Sequence, residues 1–207
     1  MFANCNLTQA VFDDTTVEKA DFRITITYAI SRNLTKLGKR NFLFSAFRKM
    51  IPRIETLNEK KLVGKRLTMS FADYRIGELW RSFSTRRTEI TNNLTNDLIS
   101  LAVYKPTHFK DFKPTNEFER WAAVEVADFR NVPAEMDTFV LPGGLYAIFD
   151  YKGLSTDNSI FQFIFGTWLP ASDYVLDNRP HFEVLGDKYK NNDPTSEEEI
   201  WIPIKQK

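Results

Sequence analysis

The side chains best equipped for chemistry are unevenly supplied in this 207-residue chain. There is one cysteine, Cys5, and there are two histidines, His108 and His181. A single thiol excludes an internal disulfide and any cysteine-cluster zinc site. His181 stands two residues before Glu183, a His-x-Glu spacing that would suit a metal, but no third ligand is evident. His108 falls in a polar stretch and is expected to be exposed. No metal and no cofactor are therefore expected. The adjacent glycines of LPGGLY do not continue as G-x-G-x-x-G from a strand into a helix, so a nucleotide loop is not expected. Nothing resembles a nucleophile elbow. The abundant class is aromatic: 18 Phe, 7 Tyr and 4 Trp make 14% of the chain. Most of these rings suit a core. Tyr and Trp, whose polar edges seek water or a ligand, also suit the lining of a cavity.

Alternation along strands places some of these rings beside carboxylates. Side chains point to opposite faces at successive strand positions. In HFEVLG (181–186), Phe182 and Val184 share one face and His181, Glu183 and Leu185 the other. In EIWIPI (199–204), Ile200, Ile202 and Ile204 oppose Trp201 and Pro203. The all-Ile face is the natural partner of a helix. If the two strands pair in phase, Glu183 and Trp201 both project away from the helices. Earlier in the chain Ser100 and Tyr104 oppose the apolar Ile99, Leu101 and Val103, and Trp121 and Glu125 share a face across RWAAVEV. A carboxylate among rings suits a flat or cationic organic molecule, since ring faces attract cations by ~0.5–2 kcal/mol per contact. The plainer alternative is a solvated glutamate beside a tryptophan packed under a loop.

The elements that position these residues read most clearly from Met50 onward. An extended segment covers 52–71. YRIGELWRSFSTRR follows, with Ile76, Leu79, Trp80 and Phe83 at helical spacing. Strands are predicted at 97–104 and 117–129, then a turn at Pro133. The order then restarts: a strand pair over 138–153 with Pro142-Gly143-Gly144 as a turn or bulge, a helix over 159–172 ended by Pro170, and strands at 181–186 and 199–204 joined by a polar loop. This is a weak internal repeat of strand-helix-strand-strand units. It predicts an α+β fold, an antiparallel sheet with two helices on one face.

Residues 1–49 differ. They carry 8 Lys/Arg against 4 Asp/Glu, and offer one strand at 22–30 and a short amphipathic helix at 41–49. No helix-turn-helix can be placed there. The expected division is an N-terminal extension over 1–49, weakly structured and containing Cys5, with Met50 as the natural start of a domain over 50–207. The whole chain holds 28 Lys/Arg and 27 Asp/Glu, a net charge of +1. That balance lacks the basic field that grips a phosphate backbone, so nucleic-acid binding is not expected. No apolar run reaches the ~18 residues that span a bilayer, and the start has no basic n-region or apolar h-region. A cytoplasmic protein with no membrane partner is expected.

Several motifs in order carry a family resemblance: KLVGKRLTMSF, ELWRSF, RWAAVEV, LPGGLYAIFDYKG, GTWLPAS, RPHFEVLGDKY and EIWIPI. From Pro52 to Ile204 the chain resembles the GyrI-like small-molecule-binding domain, which is also the effector-binding domain of some AraC-type and multidrug-sensing regulators. The resemblance implies a duplicated strand-helix-strand-strand fold with a ligand cleft between the halves. It implies a buried carboxylate in that cleft, on the strand carrying F-E-x-x, which maps to Glu183. It implies surrounding aromatics, with Trp201 on the last strand and Tyr146 and Trp168 at matching positions. The regulators' DNA-binding domain has no counterpart in the resemblance. The first function expected is capture of a hydrophobic, flat or cationic small molecule, for sequestration or sensing. The second, since some stand-alone relatives are described as hydrolases of cyclopropane-bearing genotoxic compounds, is hydrolysis in the same cleft. There Glu183, with Glu125 behind it, would activate water. Trp201, Trp121 and Tyr146 would hold the substrate, and Tyr104 would stabilise developing charge. The third is a protein-interaction role such as gyrase protection; the sequence itself indicates no protein partner.

Overall fold

The computed structural model describes residues 51–109 and 112–207. The strand at 22–30, the helix at 41–49, Cys5 and the Met50 start all lie outside these described residues. The chain forms β1 (Arg53–Leu57), β2 (Lys60–Met69), α1 (Ile76–Ser84), β3 (Leu98–Val103), β4 (Phe118–Glu125), β5 (Asp137–Leu141) and β6 (Gly144–Lys152). The second helix, α2 (Ser159–Phe163), runs on through a widened π-helical stretch (Ile164–Trp168) and a last turn (Leu169–Ala171). The widened stretch leads directly into that last turn, where Pro170 has no N–H to bond the Gly166 carbonyl and its ring crowds that position. The strands β7 (Tyr174–Leu176), β8 (His181–Leu185) and β9 (Glu197–Gln206) complete the fold. It is the expected α+β class.

All strand pairs are antiparallel, in the order β1-β6-β9-β8-β3-β4-β2-β5, with β7 added beside β9. The order is symmetric about the β8–β3 pair. Two strand-helix-strand-strand units, β2-α1-β3-β4 and β6-α2-β8-β9, are thus related by a pseudo-two-fold axis, and β1 and β5 exchange sides to edge the opposite half. This corrects the expected strand pair over 138–153. β5 and β6 both exist there, but β5 pairs with β2 and β6 with β1 and β9. Pro142 and Gly143 are a crossing, as are Asn58 and Glu59 between β1 and β2.

Lateral pairing fixes the faces. Ala122, Ser100, Glu183, Ile200 and Phe149 form one row across five strands. Leu79 and Phe83 of α1 join the cluster containing Ala122 and Val124, while Ile160 and Ile164 of the second helix join Phe149, Ile200 and Ile202. Both helices therefore cover the same face, one per half. The alternate row, Trp121, Leu101, Phe182, Trp201 and Ile148, faces the other way. Those residues bury themselves with Leu57, Leu62, Leu141 and Tyr146 and no helix over them. This requires the sheet to curl. Connections of two residues each join strands from opposite ends of the sheet order, so the ends are drawn together and the second face becomes the interior of an open barrel. Leu62, Leu101, Leu141 and Tyr146 are fully buried there.

Two devices permit the curl. Gly64 lets β2 approach β4 so closely that a Cβ there would overlap the Ala122 carbonyl oxygen and lie 2.6 Å from the Ala123 Cα. Gly144 opens β6 with φ +139°, a conformation suited to glycine. Beside it Arg179 donates to the carbonyls of Gly143 (3.2 Å), Leu145 (2.7 Å) and Ile204 (3.1 Å), and its guanidinium lies 4.6 Å from the Tyr146 ring centroid. Among the described residues no helix is long and apolar enough to cross a membrane.

Candidate functional site: a carboxylate cleft between the helices

Each helix covers its own half, which leaves the central strands β3 and β8 open between them. Two of the three side chains of β3 on that face are small, Ser100 and Ala102, paired with Glu183 and His181 of β8; the third, Leu98, pairs with Leu185. A cleft of about 600 Å³ forms over Leu98, Ser100, Glu183 and Leu185. Its floor carries Ser100, Arg120, Glu183 and Glu198, and its walls include Tyr74, Trp80, Phe161 and Tyr189.

Arg120 reaches diagonally over the small side chains of β3. One Nη donates to Ser100 Oγ at 2.6 Å and to Glu183 Oε2 at 3.5 Å. Arg120 is only 5% exposed, and its buried Nε has no partner. Glu198, on β9, lies on the same face because Glu183 pairs with Ile200. It makes no hydrogen bond or ion pair among the described residues. Burial and the neighbouring Glu183 carboxylate push its pKa up to about 8, against the opposing pull of Arg120. Burial likewise raises the phenols of Tyr74 and Tyr189. His181 pairs with Ala102 beyond the cleft lining, its ring stacked near Phe109 and Phe165. Burial and the Arg120 charge push its pKa down to about 3, so it is neutral.

The structure divides the sequence-predicted residues. Glu183 lines the cleft. Trp201, Trp121 and Tyr146 lie on the opposite face, inside the curled sheet. The in-phase pairing of Glu183 with Trp201 is corrected by the register: Phe182 pairs with Trp201, and Glu183 shares the all-Ile face beneath the helices. Glu125 shares the face of Trp121 and pairs with Lys60 at 2.5 Å. Trp168 packs edge-on to Phe149 and stacks near Tyr174. Tyr104 is on the helix side but packs into a cluster with His108, Phe109, Phe118 and His181 and is not a wall of the cleft. His108, expected exposed, is 3% exposed in that cluster. Among the described residues no group of three or more His, Cys, Asp or Glu could hold a metal ion.

Sequence reasoning missed Glu198, Arg120, Tyr74, Trp80, Phe161 and Tyr189 as cleft residues. One signal was present: extending the alternation of Ile200, Ile202 and Ile204 backwards puts Glu198 on their face. Trp80 read as part of a helix stripe, which it also is, packing near Phe83.

Comparison with known proteins supplies the family. Residues 53–204 match the model of Cass2, integron-associated effector binding protein. The transcriptional regulator BrlR of Pseudomonas aeruginosa is 28% identical over 131 residues, which are 62% of this chain and 46% of BrlR, so the chain spans under half of that relative. Among solved structures, SAV2435 bound to tetraphenylphosphonium is similar at a TM-score of 0.57 and 19% identity, over 75% of this chain and 94% of that one. The C-terminal domain of EcmrR gives 0.56 and 17%, over 75% and 98%. An integron cassette protein from Vibrio cholerae gives 0.52 and 16%, over 74% and 95%. At such identities these structures establish the shared fold. With its motifs, its duplicated topology and the matched span in agreement, the chain belongs to the Cass2 family of effector-binding proteins, a form of the GyrI-like fold.

Proposed function

We propose that this effector-binding domain takes a hydrophobic organic cation into the cleft between its helices, for sensing or sequestration. The observation that carries this reading is the convergence of Glu183 and Glu198 with Tyr74, Trp80, Phe161 and Tyr189 on one cleft of about 600 Å³. That volume falls in the ~300–1,000 Å³ range of small-molecule sites. The rings offer faces to a delocalised cation and exclude water. The carboxylates supply the countercharge, and exclusion of water strengthens it. A protein of the same fold is seen bound to tetraphenylphosphonium, a ligand of this class.

Titration with tetraphenylphosphonium, followed by tryptophan fluorescence and calorimetry, tests the reading. Saturable binding is expected. Glu183→Gln should weaken it by ~1–3 kcal/mol, the scale of a lost charge-assisted contact. Glu125→Gln and Trp201→Phe, both away from the cleft, should leave it unchanged. Equal binding by wild type and Glu183→Gln would overturn the role given to Glu183. Recovery of the ligand intact after incubation separates capture from turnover; a converted product would move the assignment to hydrolysis in the same cleft.

A further inference from the structure

The floor of the cleft has one more carboxylate than its arginine can match, and this bears on how a cation enters; the inference rests on the cation-binding reading above. Arg120 of β4 is committed to Ser100 Oγ at 2.6 Å and to Glu183 Oε2 at 3.5 Å. One positive charge thus faces one carboxylate. Glu198 of β9 is the second, with no hydrogen bond or ion pair among the described residues. The charged and titratable groups around it come from every neighbouring element. Glu183 faces it from β8, Arg120 from β4 and Tyr189 from the segment after β8, while Tyr151 is its direct partner on β6. Tyr74, just before α1, and Arg81, on α1, line the same cleft. Two carboxylates sharing one arginine between aromatic walls cannot both ionise without cost, because like charges in a poorly hydrated space repel and desolvation disfavours each.

We propose that the empty cleft stores a proton on Glu198 and gives it up to solvent when an organic cation binds. The exchange balances as a Glu198 carboxylic acid plus free cation giving a Glu198 carboxylate–cation pair plus one proton. The upward shift of Glu198 by burial and by Glu183 runs in the same direction. The cleft then has two charge states. With Glu198 protonated, Arg120 and Glu183 cancel and the cleft suits a neutral flat molecule. With Glu198 ionised the floor carries one negative charge and suits a cation, Arg81 lying on the helix wall rather than on the floor. Glu198 is thereby the residue that sets preference by ligand charge.

Calorimetry of the full chain with tetraphenylphosphonium decides this, run at pH 7 in buffers of different ionisation enthalpy. The observed enthalpy should vary with buffer, giving about 0.5–1 proton released per cation, and affinity should rise by up to about tenfold per pH unit between pH 6 and 8, then level off. Glu198→Gln should abolish the release and flatten the pH dependence, while affinity for the neutral triphenylphosphine oxide should not rise with pH in the wild type. Cation binding with buffer-independent enthalpy would overturn the exchange and leave the cation site standing. Proton release undiminished in Glu198→Gln would overturn the assignment to Glu198. Failure of the cation to bind at any pH would overturn both this inference and the cation reading. The wild-type buffer series decides the exchange even if the variant folds poorly.

Discussion

Arg120 shows how one side chain can organise a site whose other members come from three strands. It is buried, and its charge is tolerated because Glu183 and Ser100 face it. Removing one partner of a buried pair leaves the other charge uncompensated, at a typical cost of ~3–5 kcal/mol. Arg120→Met is therefore expected to lower the melting temperature strongly, whereas Arg66→Met, at an exposed ion pair with Glu119, should change it little. Thermal unfolding of both variants by circular dichroism checks the contrast. At this scale the sequence was readable only in part. Glu183 stood out through the family motif, while alternation assigned it to the wrong face of the sheet. Arg120 did not, because an arginine in a strand reads as solvated until the residues across from it are known to be small.

The elements show where local rules held. The apolar spacing of Ile76, Leu79 and Phe83 predicted α1, and the alternating strands appeared close to their expected spans. Local rules did not predict which strands pair. PGG between two strands reads as a hairpin turn, yet here it carries the chain to the far side of the sheet. Gly64 tests the pairing of β2 with β4, since its missing side chain allows β2 to lie against the β4 backbone. Gly64→Ala should cost about 2 kcal/mol or more through overpacking against rigid main chain. Gly77→Ala is the opposite case: a Cβ there meets nothing within 4 Å, on a helix. It should stabilise α1 by roughly 0.5–1 kcal/mol. Denaturant midpoints of the two variants should move in opposite directions.

For the molecule as a whole, two titratable groups on β8 and β9 set opposing pH limits. His181 is held neutral, with its pKa moved from 6.5 to about 3, so unfolding takes up a proton at intermediate pH and stability falls as pH drops from 6.5 toward 3. Glu198 is held protonated, with its pKa moved from 4.5 to about 8, so folding retains a proton and stability falls as pH rises from 4.5 toward 8. Between 4.5 and 6.5 the two slopes oppose each other, and the melting temperature should be flattest there. Glu198→Gln should remove the alkaline decline selectively. A saturating cation should raise stability on that side, because ligand that binds only the folded state stabilises it. Melting curves from pH 4 to 9, with and without tetraphenylphosphonium, read both effects.

The sequence by itself determined what covalent geometry repeats every two or three to four residues: where α1 runs, that Glu183 opposes Phe182, that Ile200 opposes Trp201, and that two similar units follow one another. It also carried the motifs of the family. Tertiary structure alone decided which face was which. A shift of one residue between β8 and β9 exchanges every side chain between cleft and core, and that register depends on strands distant in the sequence and on two short crossings that curl the sheet. For that reason the rings of Trp121, Tyr146 and Trp201 became the interior of the barrel. The cleft drew its walls instead from Tyr74, Trp80, Phe161 and Tyr189, which no local period brings together.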